Sequence, residues 1–403
     1  MRPLAHAVYV WPRQWTEPVR TAIDSCREDV APLLVLAAEV AWSDGRPEVF
    51  HVPIDGPTLA ATRKSIGLVV RVGPFAGPFR RDDDPATRIV SLVRTIRDDA
   101  RRAGIEPSEV QIDFDCASSK LDGYRTWIEE VRTQLSPTPV TITALPTWLG
   151  AKGFGALVEA TDGYVLQVHS LERPSSPTDL GTLCDPEQSL RWVRRARRFG
   201  VPFRVALPTY GYRVAFDRDG AFIGLAAEGP LPAWPEGTEI VELRTDPTAM
   251  VALVTALRHE PAEPMLGIAW YRLPVATDTL NWPRETWEVV MRGEVPTAEI
   301  VARARTASTD GAGVRIEIEL ENEGTRDGMV DGAVRVSWRG GPPLASDAIG
   351  GFRREGASRD ALVFRAHPDP DVERISPGRI RTVGWLRFAA ETEVTVELVP
   401  PEE

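Results

Sequence analysis

Cysteine and histidine are scarce in this chain of 403 residues, with three of the first and five of the second. Cys26, Cys116 and Cys184 show no CxxC spacing and have no histidine near them. That excludes a zinc motif and a disulfide framework, although one disulfide could still form. No metal and no cofactor are expected. Positive charge is also short: the net charge is −11, so the basic face that nucleic acid or an anionic membrane requires is missing. No run is apolar and long enough to span a bilayer. The N-terminal "MRPLAHAVYVWPRQW" reads as a strand and a loop rather than a leader peptide. The chain is therefore expected to be cytoplasmic, or extracytoplasmic if a leader has been removed. HExxH, GxSxG and GxxxxGK[ST] are all absent, which argues against zinc-hydrolase, serine-hydrolase and nucleoside-triphosphate chemistry. Lysine is rare beside arginine, a bias expected of a high-GC bacterial genome.

What remains is an ordinary globular composition, 43% hydrophobic and 26% charged, in a chain too long for one small core. Up to about residue 295, strand-like and helix-like segments alternate. Eight strands are expected, at His6–Val10, Leu33–Val40, Ile66–Val72, Val110–Asp115, Val140–Leu145, Tyr164–His169, Phe203–Leu207 and Leu266–Tyr271. Asp84-Pro85, Asp185-Pro186 and Asp246-Pro247 each place an N-cap acceptor before a proline in the first helical turn. Apolar stripes at Ile89, Val93, Ile96, Ala100 and Ala103, and from Leu121 to Leu135, fit amphipathic helices.

The pattern predicts an α/β fold, a (β/α)8 TIM barrel over residues 1–297. A doubly wound open sheet is the alternative, but no glycine-rich turn follows the first strand. "PTYGYRVAFDRDGAFIGL" predicts a small antiparallel insertion after strand seven, with "EIVELR" either part of it or a ninth strand. From residue 298 to 403, short alternating strands predict an all-β, sandwich-like accessory domain.

In such a barrel the C-terminal strand ends form the working mouth. The fourth strand reads Gln111-Ile112-Asp113-Phe114-Asp115, so Gln111, Asp113 and Asp115 share one face by period-two alternation. Inward polar groups cost free energy unless they are bonded or wet. Two readings follow. Either the aspartates form a site, or Arg71 of "LVVRVG" neutralises them in a buried network. Glu39, at the end of the second strand, is a further catalytic candidate or a rim salt bridge. Gln167 and His169 share a face of the sixth strand, with Glu172 beyond. Trp148, Tyr210, Tyr212 and Trp270 are candidate sugar-stacking groups, or core packing. Trp11, Trp15 and Trp42 could add subsite walls.

The stretches "VQIDFD", "VLQVHSLE", "VALPTYGY" and "LGIAWYRLP" together resemble the barrel of the chitinase-type (family 18) glycoside hydrolases. "IDFDCASSKLDGY", "ITALPTWL", "LQVHSLE" and "ALPTYGY" more closely resemble an uncharacterised bacterial family, a domain of unknown function grouped with barrel-type glycosidases. The resemblance spans roughly residues 5 to 295. It implies that Asp115 stands at the place of the catalytic acid, Asp113 at that of the substrate-orienting carboxylate, and Trp270 at the floor of the sugar site. Gln111 stands where those enzymes carry an aspartate, Asp115 where they carry a glutamate, and His169-Ser170 where they carry a Tyr-Asp pair. Substrate-assisted chitin cleavage is therefore not implied. The expectation is a glycoside hydrolase acting on a polysaccharide or glycoconjugate, with Asp113, Asp115 and Glu39 catalytic. Gln111, Arg71, Trp148, Gln167, His169, Tyr210, Tyr212 and Trp270 would bind the carbohydrate. A non-catalytic carbohydrate-binding barrel is the alternative, and a lyase or other hydrolase on this scaffold a more distant one.

Overall fold

The computed structural model describes residues 3–400, apart from 44–45, 76, 80–83, 171–172, 228–231, 262, 331 and 368–369. Glu172 therefore lies outside the described residues, as does the side chain of Asp84. The chain divides into two units, Met1–Asn281 and Trp282–Glu403.

The first unit is a closed barrel of eight parallel strands: β1 (Ala5–Val10), β2 (Val30–Ser43), β3 (Ile66–Val72), β4 (Glu109–Phe114), β5 (Val140–Ala144), β6 (Gly163–Gln167), β7 (Phe203–Pro208) and β8 (Met265–Tyr271). Each pairs with its neighbours in chain order, and pairing of β1 with both β8 and β2 closes the ring. All eight coincide with the apolar runs of the sequence, because strands covered on both faces need near-continuous Val, Ile and Leu. Helices pack outside. On Leu121–Leu135 every residue of the expected stripe is buried: Leu121, Tyr124, Trp127, Ile128, Val131 and Leu135. On Asp84–Arg102 the stripe holds through Ala100, whereas Ala103 lies past the helix end and is exposed. Asp185 and Asp246 cap as their spacing implies, accepting from the backbone N–H of Gln188 at 2.6 Å and of Thr248 at 2.8 Å.

Two β additions decorate this barrel. β2 runs on past the barrel wall and folds back through Arg46–His51, an antiparallel partner that the sequence did not announce. After β7, strands Gly211–Phe216, Phe222–Ala226 and Glu239–Arg244 form a separate antiparallel sheet with the first strand central. "EIVELR" thus belongs to the insertion. Its hairpin turns at Asp217, whose Oδ1 accepts from the N–H groups of Asp219 and Ala221, both at 2.9 Å. Gly220 takes the left-handed conformation there, φ +78°.

In the second unit two four-stranded antiparallel sheets share one core. Gly313–Asn322 shows the governing alternation, with Val314, Ile316, Ile318 and Leu320 buried and charged residues between them. Among the described residues no helix is long and apolar enough to cross a membrane.

Candidate active site

The inward face of β4 is a polar ladder. At the bottom, Glu109 is buried, bonded to Arg204 Nη1 at 2.8 Å and to the Thr141 hydroxyl at 2.7 Å. One layer up, Gln111 is fully buried and accepts from Tyr9 Oη at 2.7 Å, with Thr141 Oγ1 3.5 Å from its amide nitrogen. Gln111 is therefore a prop beneath the mouth and not a substrate contact. Above it, Asp113 is half-buried; its Oδ1 accepts from Thr143 Oγ1 at 2.7 Å and from Gln167 Nε2 at 3.4 Å. Asp115 follows the last residue of β4 and is exposed.

Burial pushes the Asp113 carboxyl above the usual carboxylate range, against the opposing pull of the Thr143 hydrogen bond and the Arg71 charge. Asp115 is raised to about 6, first by desolvation where the surrounding protein displaces water and then by the Asp113 charge beside it, with Arg71 opposing. Two neighbouring carboxylates do not ionise independently.

Register places Glu39, Arg71 and Asp113 side by side across β2, β3 and β4. For Glu39 this depends on an irregularity: the pairing of β2 with β3 slips between Leu36 and Ala38. Leu34 and Leu36 face the barrel interior, so strict alternation would turn Glu39 outward; the extra residue re-aims it. Arg13 grips Glu39 with two hydrogen bonds, at 2.7 and 3.0 Å. Arg71 is exposed, with its Cζ 5.9 Å from the Trp11 ring centroid. Among the described residues it forms no ion pair with either aspartate.

The opposite wall is aromatic. Tyr271 from β8 lies 5.6 Å from Tyr9 and 5.0 Å from Trp11, edge-on, and 5.7 Å from a stacked His169 ring. His169 Nδ1 lies 3.4 Å from Tyr210 Oη, which meets Tyr212 Oη at 3.2 Å. Burial lowers the His169 pKa to about 4, so the imidazole is neutral at ordinary pH, and its Nε2 is buried with no partner among the described residues. Phe50, 54% exposed, sits opposite Glu39 on the added hairpin strand.

Two expected sugar-binding residues are elsewhere. Ala269 and Tyr271 face the interior, so Trp270 between them points to the helical layer, where its Nε1 donates to His6 Nδ1 at 3.1 Å. Trp148 is fully buried behind the wall, donating to the Cys116 carbonyl at 3.1 Å. Trp42 joins Phe75 and Trp127 in a stacked cluster and donates to the Gly73 carbonyl. Trp15 is half-buried with its Nε1 unpartnered. Tyr9, Thr143 and Tyr271 were missed. Period-two counting from Trp11, from Thr141 and from Ala269 would have found each of them.

A family model described as a domain of unknown function, DUF3142, matches residues 67–276. No curated protein matches the chain. Among solved structures, the C-terminal domain of a candidate chitinase from Desulfitobacterium hafniense DCB-2 is similar at TM-score 0.53 and 12% identity, over 72% of this chain and 99% of that one. The spore cortex-lytic enzyme SleL of Bacillus cereus is similar at TM-score 0.50 and 14% identity, over 73% and 75%. At these identities the likeness is one of fold.

Proposed function

The chain belongs to the DUF3142 family and carries a barrel of the glycoside-hydrolase type, and from that premise we propose that its mouth hydrolyses glycosidic bonds. The observation that carries the reading is the Asp113–Asp115 pair. Both carboxyls are raised, they adjoin each other, and among the described residues no arginine is clamped onto either. Glycoside hydrolysis needs one carboxyl that still holds a proton near working pH and a second that is ionised. Two coupled aspartates meet that need as a unit, one proton shared between them. Asp115, exposed at the rim, donates the proton to the departing glycosidic oxygen. Asp113, fixed by Thr143 and Gln167, supports the positive charge that builds on the sugar ring until water adds at the anomeric carbon and returns a proton to the Asp115 carboxylate. Tyr271, partly exposed, offers an apolar surface on which a pyranose stacks, backed by the buried Trp11 and Tyr210. Glu39 is a third carboxylate at the same level, held by Arg13.

A second reading, a carbohydrate-binding barrel without turnover, has one observation in its favour. The layer below Asp113 carries Gln111 bonded to Tyr9, an uncharged pair, so the carboxylates get no acidic support from beneath. The sandwich unit would serve either reading as an accessory domain. Release of reducing ends from a panel of polysaccharides and glycoconjugates separates the two. The hydrolase reading expects turnover that Asp115→Asn abolishes. Glycan binding that survives Asp115→Asn, with turnover on no glycan, would leave the binding module.

A further inference from the structure

The arginines around the barrel differ in one respect. Arg204 answers Glu109, Arg13 answers Glu39, Arg213 pairs with Glu242 at 3.4 Å and Arg272 pairs with Asp278. Among the described residues Arg71 forms no ion pair, although register sets it between Glu39 and Asp113 on the inward face of the mouth. Its guanidinium lies over the Trp11 ring. A guanidinium over an indole is held in place by the π face while its in-plane N–H fork stays available, the geometry that grips a carboxylate with two bonds. The same Trp11 also lines a cavity of about 700 Å³, together with Arg13, Arg213, Arg272, Asp278 and Leu273. Cationic and apolar groups therefore meet around Trp11, the ring that carries Arg71. This happens in a protein whose net charge of −11 would otherwise repel a polyanion.

Resting on the reading of the mouth as a glycan site, we propose that its ligand is an acidic glycan, one whose sugars carry carboxylates. Arg71 is the specificity-determining residue that holds the carboxylate. A bound carboxylate gives Arg71 an ion-pair partner that none of the described residues supplies. The competing role is purely electrostatic: Arg71 would merely damp the charge of Asp113 and Asp115. That role predicts the same loss on every substrate.

The test is binding by the Asp115→Asn protein, so that it does not depend on turnover. Uronate-bearing polysaccharides, polygalacturonate and hyaluronan among them, are each compared with their carboxyl-reduced forms. The acidic forms are expected to bind at least about tenfold more tightly, the worth of one charge-assisted hydrogen bond. Arg71→Gln abolishes that difference, and Arg71→Lys keeps part of it along with the salt dependence. Equal binding of acidic and reduced forms, or a preference that survives Arg71→Gln, overturns the proposal. A preference seen without turnover on any glycan supports it while sinking the hydrolase reading. Hydrolysis of neutral glycans that Arg71→Gln leaves unchanged does the reverse.

Discussion

The two ends of β4 carry acidic residues on one inward face, and they are treated in opposite ways. At the bottom, Glu109 spends its oxygens on Arg204 and Thr141 and is sealed from solvent. At the top, Asp113 has a hydroxyl and an amide but, among the described residues, no clamped cation, and Asp115 opens to solvent. A buried carboxylate that serves the fold is neutralised by a partner of opposite charge. A carboxylate left with a like charge beside it keeps its proton longer, which is what acid catalysis uses. Type and spacing of the side chains do not separate the two ends. The company each carboxylate keeps does.

Substitutions can break this contrast from either end. The largest effect is expected at the top, where Asp115→Asn should lower the hydrolytic rate on the order of 10³-fold, the usual worth of a general acid, and leave the melting temperature unchanged. At the bottom, Glu109→Ala strands Arg204 half-sealed in the barrel. It should cost about 3 kcal/mol in denaturant unfolding while the rate per folded molecule is kept. A large loss of rate from Glu109→Ala at full folding would erase the distinction. The smallest expected effect compares neighbours on β8. Trp270→Phe, losing the bond to His6, should cost about 1 kcal/mol of stability and leave KM alone. Tyr271→Leu should raise KM with little change in stability, because Tyr271 faces the mouth.

The eight barrel strands were legible because each is a short apolar run, bounded by capped helices whose stripes are local in sequence. The hairpin after β7 was legible from Asp217 to Gly220 for the same reason. Facing was harder, since a side chain's face depends on register with a distant strand. Glu39 points inward only through the slip between Leu36 and Ala38, which no local pattern reveals. Trp270 was assigned to the mouth from its place near the end of the eighth strand and from the family likeness. Counting from the interior residues Ala7 and Tyr9 through their pairing with β8 puts Tyr271 there instead. The strand Arg46–His51 was missed because its charged, proline-bearing sequence is that of an exposed edge. Glu109 escaped notice because its partner Arg204 lies 95 residues away.

At the mouth Asp113 and Asp115 act on each other, with no ion pair to an arginine among the described residues. Side-chain carboxyl titration by 13C NMR measures this without any substrate. Asp115 should titrate with a midpoint of about 6, and Asp113→Asn should move that midpoint down by removing the neighbouring charge. Protonated Asp115, and with it acid-catalysed turnover, should then be lost as pH rises through 6. A wild-type midpoint near the ordinary aspartate value of about 4, indifferent to Asp113→Asn, would contradict the account.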